Sequence, residues 1–224
     1  MGKFSDTSIK DIIGKLNDSF FLPDIQRDYV WLNNERENKI ENLFDSILRG
    51  YPIGSFLFWK LKKSDIAASK DSASDDKLNF QLYKFQENFD ERKWYNEKID
   101  IEKVNCDELN IVLDGQQRLT SLYIGLKGSR TLHQPRMRRD NPNAYIEKKL
   151  YLNLRYKPQL EDPDDNYKFM FFGQNQVPQT DENNYWFKVG DILEIKGIYK
   201  YVCEKGLSYD EAEILEKLQQ AFVI

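Results

Sequence analysis

Apolar positions along the chain recur with two periods, one helical and one extended. Ile9, Ile12, Ile13 and Leu16 fall at helical spacing behind a Ser/Asp/Thr start signal, which predicts an amphipathic helix over residues 7–17. The apolar run opening "FFLPDIQRDYVW" predicts a short strand ending at Pro23, followed by an irregular segment that carries Gln26 and Arg27. Ile40, Leu43, Phe44, Ile47 and Leu48 mark the buried side of a helix capped at Asn33 or Asn34, running through Arg49 and stopped by Gly50. "GSFLFWKL" and "FQLYKF" read as strands. Between them "KKSDIAASKDSASDDK" is nearly devoid of large apolar residues, so a mobile surface insertion is expected near residues 61–79.

Farther on, "NIVL" is an apolar run fit for a buried strand, and Leu119, Leu122, Tyr123 and Leu126 return to helical spacing. "KGSRTLHQPRMRRDNPN" reads as one long polar loop. "KKLYLNL" and "NYKFMFF" look like strands paired across a Pro/Asp-rich turn, and "YWFKVGDILEI" like a strand followed by a short helix. Ser208 and Glu211 have capping-box spacing ahead of Ala212, Leu215, Leu218 and Phe222, which predicts a last helix. Its apolar face implies a domain cut from a longer protein, the favoured expectation, or a helix docked on a core. The fold class expected is α/β of the mixed α+β kind, a small mixed sheet flanked by helices. Residues 1–126 would form the core, and 127–224 would complete the domain.

Composition narrows the chemistry. With 224 residues, 40% hydrophobic and 14% aromatic, the chain can bury one sizeable core or two small ones. The net charge of -4 gives no global basic field, so any nucleic-acid contact must be local. Acids interrupt the N-terminal stretch "MGKFSDTSIKDIIGKL" and the apolar runs are short, so a cytoplasmic protein without membrane contact is expected. Cys106 and Cys203 lack any partner motif and read as reduced structural thiols. A single histidine, His133, excludes histidine-rich metal sites and His-Asn-His nuclease chemistry within this chain. What remains is carboxylates, amides and arginines, a set suited to phosphate and metal-nucleotide chemistry.

That set concentrates in "IVLDGQQRLTSLY", at the predicted strand-to-helix turn. Ligands gather at such turns because the first helical N–H groups lack partners and the dipole favours negative charge. Gly115 would let a phosphate approach the backbone. Asp114 could hold a hydrated Mg²⁺, or orient Arg118 when no metal is present, and Arg118 has the donor fork that neutralises phosphate oxygens. Gln116 and Gln117 could read a sugar or base edge or position a water. A purely structural reading stands beside this one: Asp-Gly is a common turn, Asp caps helices, and an arginine one turn in can simply pair with the cap. Gln26 and Arg27 form a second amide-arginine pair near a predicted strand end, or else a solvated turn. Tyr29, Trp31 and Trp59 could stack on a base or sit in the core.

The blocks "FFLPDIQRDYVW", "ILRGYPIGSFLFW" and "IVLDGQQRLTSLYIGL" resemble, in order, the N-terminal DGQQR-motif domain of GmrSD-type modification-dependent restriction proteins. The resemblance covers roughly residues 20–126. It implies a ParB/sulfiredoxin-like fold and a nucleotide-binding, nucleoside-triphosphate-hydrolysing regulatory domain of a bacterial anti-phage system that recognises modified DNA. By the motif, Asp114, Gly115, Gln116, Gln117 and Arg118 would form the nucleotide site, joined by Gln26 and Arg27; from the local reading, Asp114 and Gln117 are the candidate catalytic residues and Asp114 the candidate Mg²⁺ ligand. Relatives carry a C-terminal His-rich nuclease domain that this chain does not resemble, so the nuclease would be another domain or subunit. The alternative is a ParB-like module that senses DNA or nucleotide without turnover. Lys127, Arg130, Arg136, Arg138 and Arg139 are the candidate DNA contacts, or a solvated charge run.

Overall fold

The structure, a computed structural model, describes residues 7–24, 29–31, 38–66, 78, 81–93, 95–158 and 167–224. Gln26, Arg27, Asn33, Asn34 and most of the expected surface insertion lie outside them. Helix α1 (Ile9–Lys15) starts at Ser8, whose side chain accepts from Asp11 N, and buries Ile12 and Ile13. Strand β1 (Phe20–Pro23) follows, then α2 (Lys39–Leu48), which buries Ile40, Leu43, Phe44 and Leu48 as its apolar spacing predicts, and also Glu41. Strand β2 (Leu57–Lys62) runs into a turn of 3₁₀ helix at Lys63–Asp65. Ile66 beyond it is 3% exposed and bridges to Leu78, so the near end of the expected insertion is packed rather than free.

Strands β3 (Leu82–Tyr83), β4 (Asn88–Asp90) and β5 (Lys98–Ile99) are short. Strand β6 (Glu108–Asp114) leads into α3 (Gln116–Leu126). Together β2-β6-β1-β3-β5 form one mixed sheet, in which β6 and β1 are parallel and the other pairings antiparallel. Both faces of this sheet are covered. Phe21, Leu109 and Ile111 point into a small core with Leu82, Ile101 and Val104, while Leu22 and Val112 point into the larger core with α2 and α3. Burial on both faces is why "NIVL" is uninterrupted rather than alternating.

A second mixed sheet is built from β7 (Ser129–His133), β8 (Tyr145–Asn153), β10 (Trp186–Lys188) and β4, with β9 (Phe169–Phe172) also on β8. The β8–β9 pairing is antiparallel, as the sequence pattern predicts. The single polar loop expected after residue 126 is a correction: its first part is strand β7, parallel to β4 and antiparallel to β8. Alternation there is masked by charge, because the long stem of Arg130 packs inward. After β10 comes a 3₁₀ helix, Val189–Leu193, then α4 (Ile198–Lys205), which ends at Gly206 in the left-handed region, and α5 (Tyr209–Phe222). Leu215, Leu218 and Phe222 of α5 are fully buried, and Phe222 stacks on Phe44 of α2. The apolar face of the last helix is thus covered by this chain itself. Helices and two mixed sheets make the class α/β.

The capping box that opens α5 is present in full: Ser208 Oγ accepts from Glu211 N, and Glu211 Oε2 accepts from Ser208 N at 2.6 Å. The other carboxylate oxygen takes the Nε–H of Arg155 at 2.6 Å. Burial pushes the Glu211 carboxyl up, but the hydrogen bonds from Ser208 and Arg155 outweigh it and hold the group below the usual glutamate range. Glu211→Ala removes a cap and one of the partners of Arg155, so urea titration at neutral pH should show a loss of about 1–3 kcal/mol. The folded carboxyl ionises at lower pH than the unfolded one. Its contribution is therefore complete above the ordinary glutamate range and is lost as pH falls through the depressed folded value. The acid limb of the stability profile should flatten in the variant. An unchanged limb would refute the assignment.

Candidate functional site

Because β1 and β6 are parallel neighbours, their carboxyl ends at Pro23 and Asp114 open on the same side of the sheet. In α/β folds this is where ligands meet helix N-termini. The chain turns there through Gly115, with φ 90 and ψ 6, and enters α3 directly. A side chain at Gly115 would be strained by that backbone, and its Cβ would run into the Phe56 ring. The Asp114 side chain is 67% exposed at the rim. Gln116 and Gln117, one step inward, are buried.

Their carboxamides serve different neighbours. Gln117 Oε1 accepts from Val30 N at 3.0 Å, and one turn along α3 the Ser121 hydroxyl meets Tyr29 OH at 2.8 Å. These bonds fasten residues 29–31 to the helix. Tyr29 is 1% exposed and its hydroxyl is pushed up by burial, so its ring is core rather than a platform for a base. Gln116 lines a cavity of about 530 Å³ with Leu22, Pro23 and Asp24 of β1 and its end, Tyr83 of β3, and Tyr95, Asn96, Glu97 and Lys98. Asp24 and Tyr29 flank the stretch that holds Gln26 and Arg27, and both are placed beside α3.

Arg118 is held by several partners at once. Its guanidinium donates to Ile53 O and, at 2.8 Å, to Ser55 O, and pairs with Asp114 Oδ2 at 3.3 Å. It also lies 4.8 Å from the centre of the Phe56 ring. Gly54, with φ +81, makes this approach feasible: a Cβ there would sit 2.7 Å from Arg118 Nη1. The "YPIGSF" segment is therefore buckled to α3 by one side chain. The pairing of Arg118 with Asp114 is the structural alternative seen in the sequence. The two backbone carbonyls are an addition to it.

Asp114 can contribute to a Mg²⁺ ion. Its Oδ2 is 3.3 Å from Arg118 and its side chain is open to solvent, which suits an ion that keeps waters and takes its other ligands from phosphates. Among the described residues no three His, Cys, Asp or Glu side chains are grouped to hold a metal on their own.

A family model described as "GmrSD restriction endonuclease, N-terminal domain" matches residues 9–220. The chain belongs to this family. No curated protein matches it. The match to the GmrSD N-terminal domain extends past the DGQQR helix through the second sheet to α5, well beyond residues 20–126. Among the described residues, no helix of this GmrSD N-terminal domain is long and apolar enough to cross a membrane.

The five candidate DNA contacts separate in space. Arg136, Arg138 and Arg139 are exposed on the turn between β7 and β8. Lys127 caps the C-terminal end of α3, about 18 Å along the helix from Gly115. Arg130 is internal: it pairs with Glu41 Oε1 at 3.0 Å and stacks on Phe171 at 3.9 Å. Sequence reasoning missed Phe56, Glu41 and Asn96. The first was quoted within an apolar strand, and the other two carry no local signal. Arg130→Ala would leave Glu41 charged and buried without that partner, costing about 3–5 kcal/mol. Arg130→Ala together with Glu41→Leu should restore most of this in thermal melts. A single variant as stable as the parent would remove Arg130 from its structural role.

Proposed function

We propose that this chain binds a nucleoside triphosphate at the N-terminal end of α3, and that turnover there regulates DNA restriction by a nuclease domain or subunit of the same system. The observation that carries this reading is the meeting of the carboxyl ends of β1 and β6 with a glycine-turned helix start. The positive end of the α3 dipole, at Gln116 and Gln117, would attract phosphate oxygens. Asp114, exposed at the edge, would hold the Mg²⁺, which neutralises phosphate charge when bound. Since Arg118 is engaged with Ile53, Ser55 and Asp114, it orders the segment over the helix start. Gln26 and Arg27 would then supply the further amide and positive charge. Gln117, bonded to Val30, positions the segment that follows them.

Membership in the GmrSD N-terminal domain family supports a restriction and defence protein. The ParB/sulfiredoxin-like likeness and recognition of modified DNA are further parts of this proposal. Arg136, Arg138 and Arg139 favour DNA contact, and their joint replacement by glutamine should lower the salt dependence of DNA binding by up to about three counterions.

Turnover and sensing are separated at Asp114. If the carboxylate acts in the reaction, its effect is largest in the transition state, and Asp114→Asn should lower phosphate release at least about a hundredfold with little change in nucleotide affinity. Asparagine keeps the size and turn preference, so the test isolates charge. Phosphate release is measured with each nucleoside triphosphate, with Mg²⁺, with and without modified DNA. No release from the parent under any condition would establish the sensing module instead. Release unchanged in the variant would leave an enzyme with a different catalytic group.

A further inference from the structure

The cavity beside Gln116 is not used by a site built from phosphates and Mg²⁺. Its volume of about 530 Å³ is within the range of small-ligand pockets. It is also continuous with the candidate site through one residue: Gln116 both lines the cavity and opens the first turn of α3. A ligand filling the cavity and reaching α3 needs a compact group at one end and an anion at the other.

The lining says what the compact group is. Tyr83 and Tyr95 bring two aromatic residues to the lining, and Tyr95 is 63% exposed, a costly placement for a large aromatic with nothing to cover. Asn96 Oδ1 is buried and accepts from no donor among the described residues. Such an acceptor is expensive to leave unmade and is satisfied when a ligand brings an N–H. Asp24 and Glu97 add carboxylates at the wall, and Glu97 is bridged to Lys84 at 3.1 Å. A wall with these acceptors disfavours a second anion and favours a neutral, flat ring with hydrogen-bond donors along its edge.

We infer that this cavity receives the base of the nucleotide whose phosphates meet α3, and that Asn96 accepts an N–H from the edge of that base. The inference rests on the nucleotide reading above and assigns the part of that site which confers specificity. Tyr95 supplies a stacking face at the mouth. Gln116, whose carboxamide has both donor and acceptor, borders base and phosphate alike.

Pairs of nucleotides in which methylation removes the N–H of the base edge test this directly. Binding of the full chain to uridine against 3-methyluridine triphosphate, and to adenosine against N6,N6-dimethyladenosine triphosphate, is measured by calorimetry with Mg²⁺, alongside inorganic tripolyphosphate. The unmethylated member of each pair should bind about tenfold tighter. Asn96→Leu should erase that preference while leaving tripolyphosphate affinity unchanged, and Asn96→Asp, which keeps the acceptor, should retain it. Tyr95→Ala, at an exposed position, should weaken all nucleotides severalfold without affecting tripolyphosphate, and it carries the test should Asn96→Leu melt early. Equal affinity within each pair, or a preference that survives Asn96→Leu, overturns the base pocket while leaving the phosphate site standing. Binding of neither nucleotides nor tripolyphosphate overturns the nucleotide reading, and the pocket with it.

Discussion

Helix α3 is enclosed on all sides, and the rest of the molecule is arranged around that requirement. Every residue from Gln116 to Leu126 except Arg118 is buried, including Thr120, Ser121 and Gly125. A helix in that position cannot present a polar face to water, so each polar group on it must find a partner within the protein. Ser121 bonds to Tyr29 and to Gln117 O, Gln117 to Val30, and Tyr123 OH to Glu87 Oε2 at 2.7 Å. Close approach is needed as well: a Cβ on Gly125 would lie 2.5 Å from the Phe44 ring. The result is a rigid post between the two sheets.

Rigidity at the post matters because of what is mounted on its ends. The N-terminal end opens where β1 and β6 finish, and its turn is held by Gly115, Phe56 and Arg118 together. The C-terminal end passes through Lys127 into β7, whose Arg130 is bound to Glu41 of α2. A site built on such an element is preorganised, since the groups that would meet an anion are fixed by packing before it arrives.

Much of this was legible because it follows from short-range rules. The strand, tight turn and helix at 111–126, the α5 capping box, the apolar side of α2 and the β8–β9 pair are each written in residues close together. What was not legible depends on partners far along the chain. Arg130 looks like one of five loop cations until Glu41 and Phe171 are beside it. Nothing near Arg118 in the sequence shows that the carbonyls of Ile53 and Ser55, more than sixty residues away, will accept from its guanidinium. Strands β4 and β5 are too short to show a period, and Asn96 acquires meaning only through the cavity it borders. The α3 pattern also understated burial, because small and hydroxylated residues on its second side do not register as apolar.

Enclosure of the helix changes how divergence within the family can be read. At Gln116, Gln117 and the positions from Leu119 onward, packing opposes replacement whether or not anything binds, and at Gly115 and Arg118 the turn and its buckle do the same. Retention of those letters through drift is thus already explained by folding. Asp114 differs, since its side chain stands largely in solvent and gives up little if shortened or neutralised. An aspartate held there across distant sequences would be the letter of the motif that selection on chemistry, rather than on architecture, keeps in place.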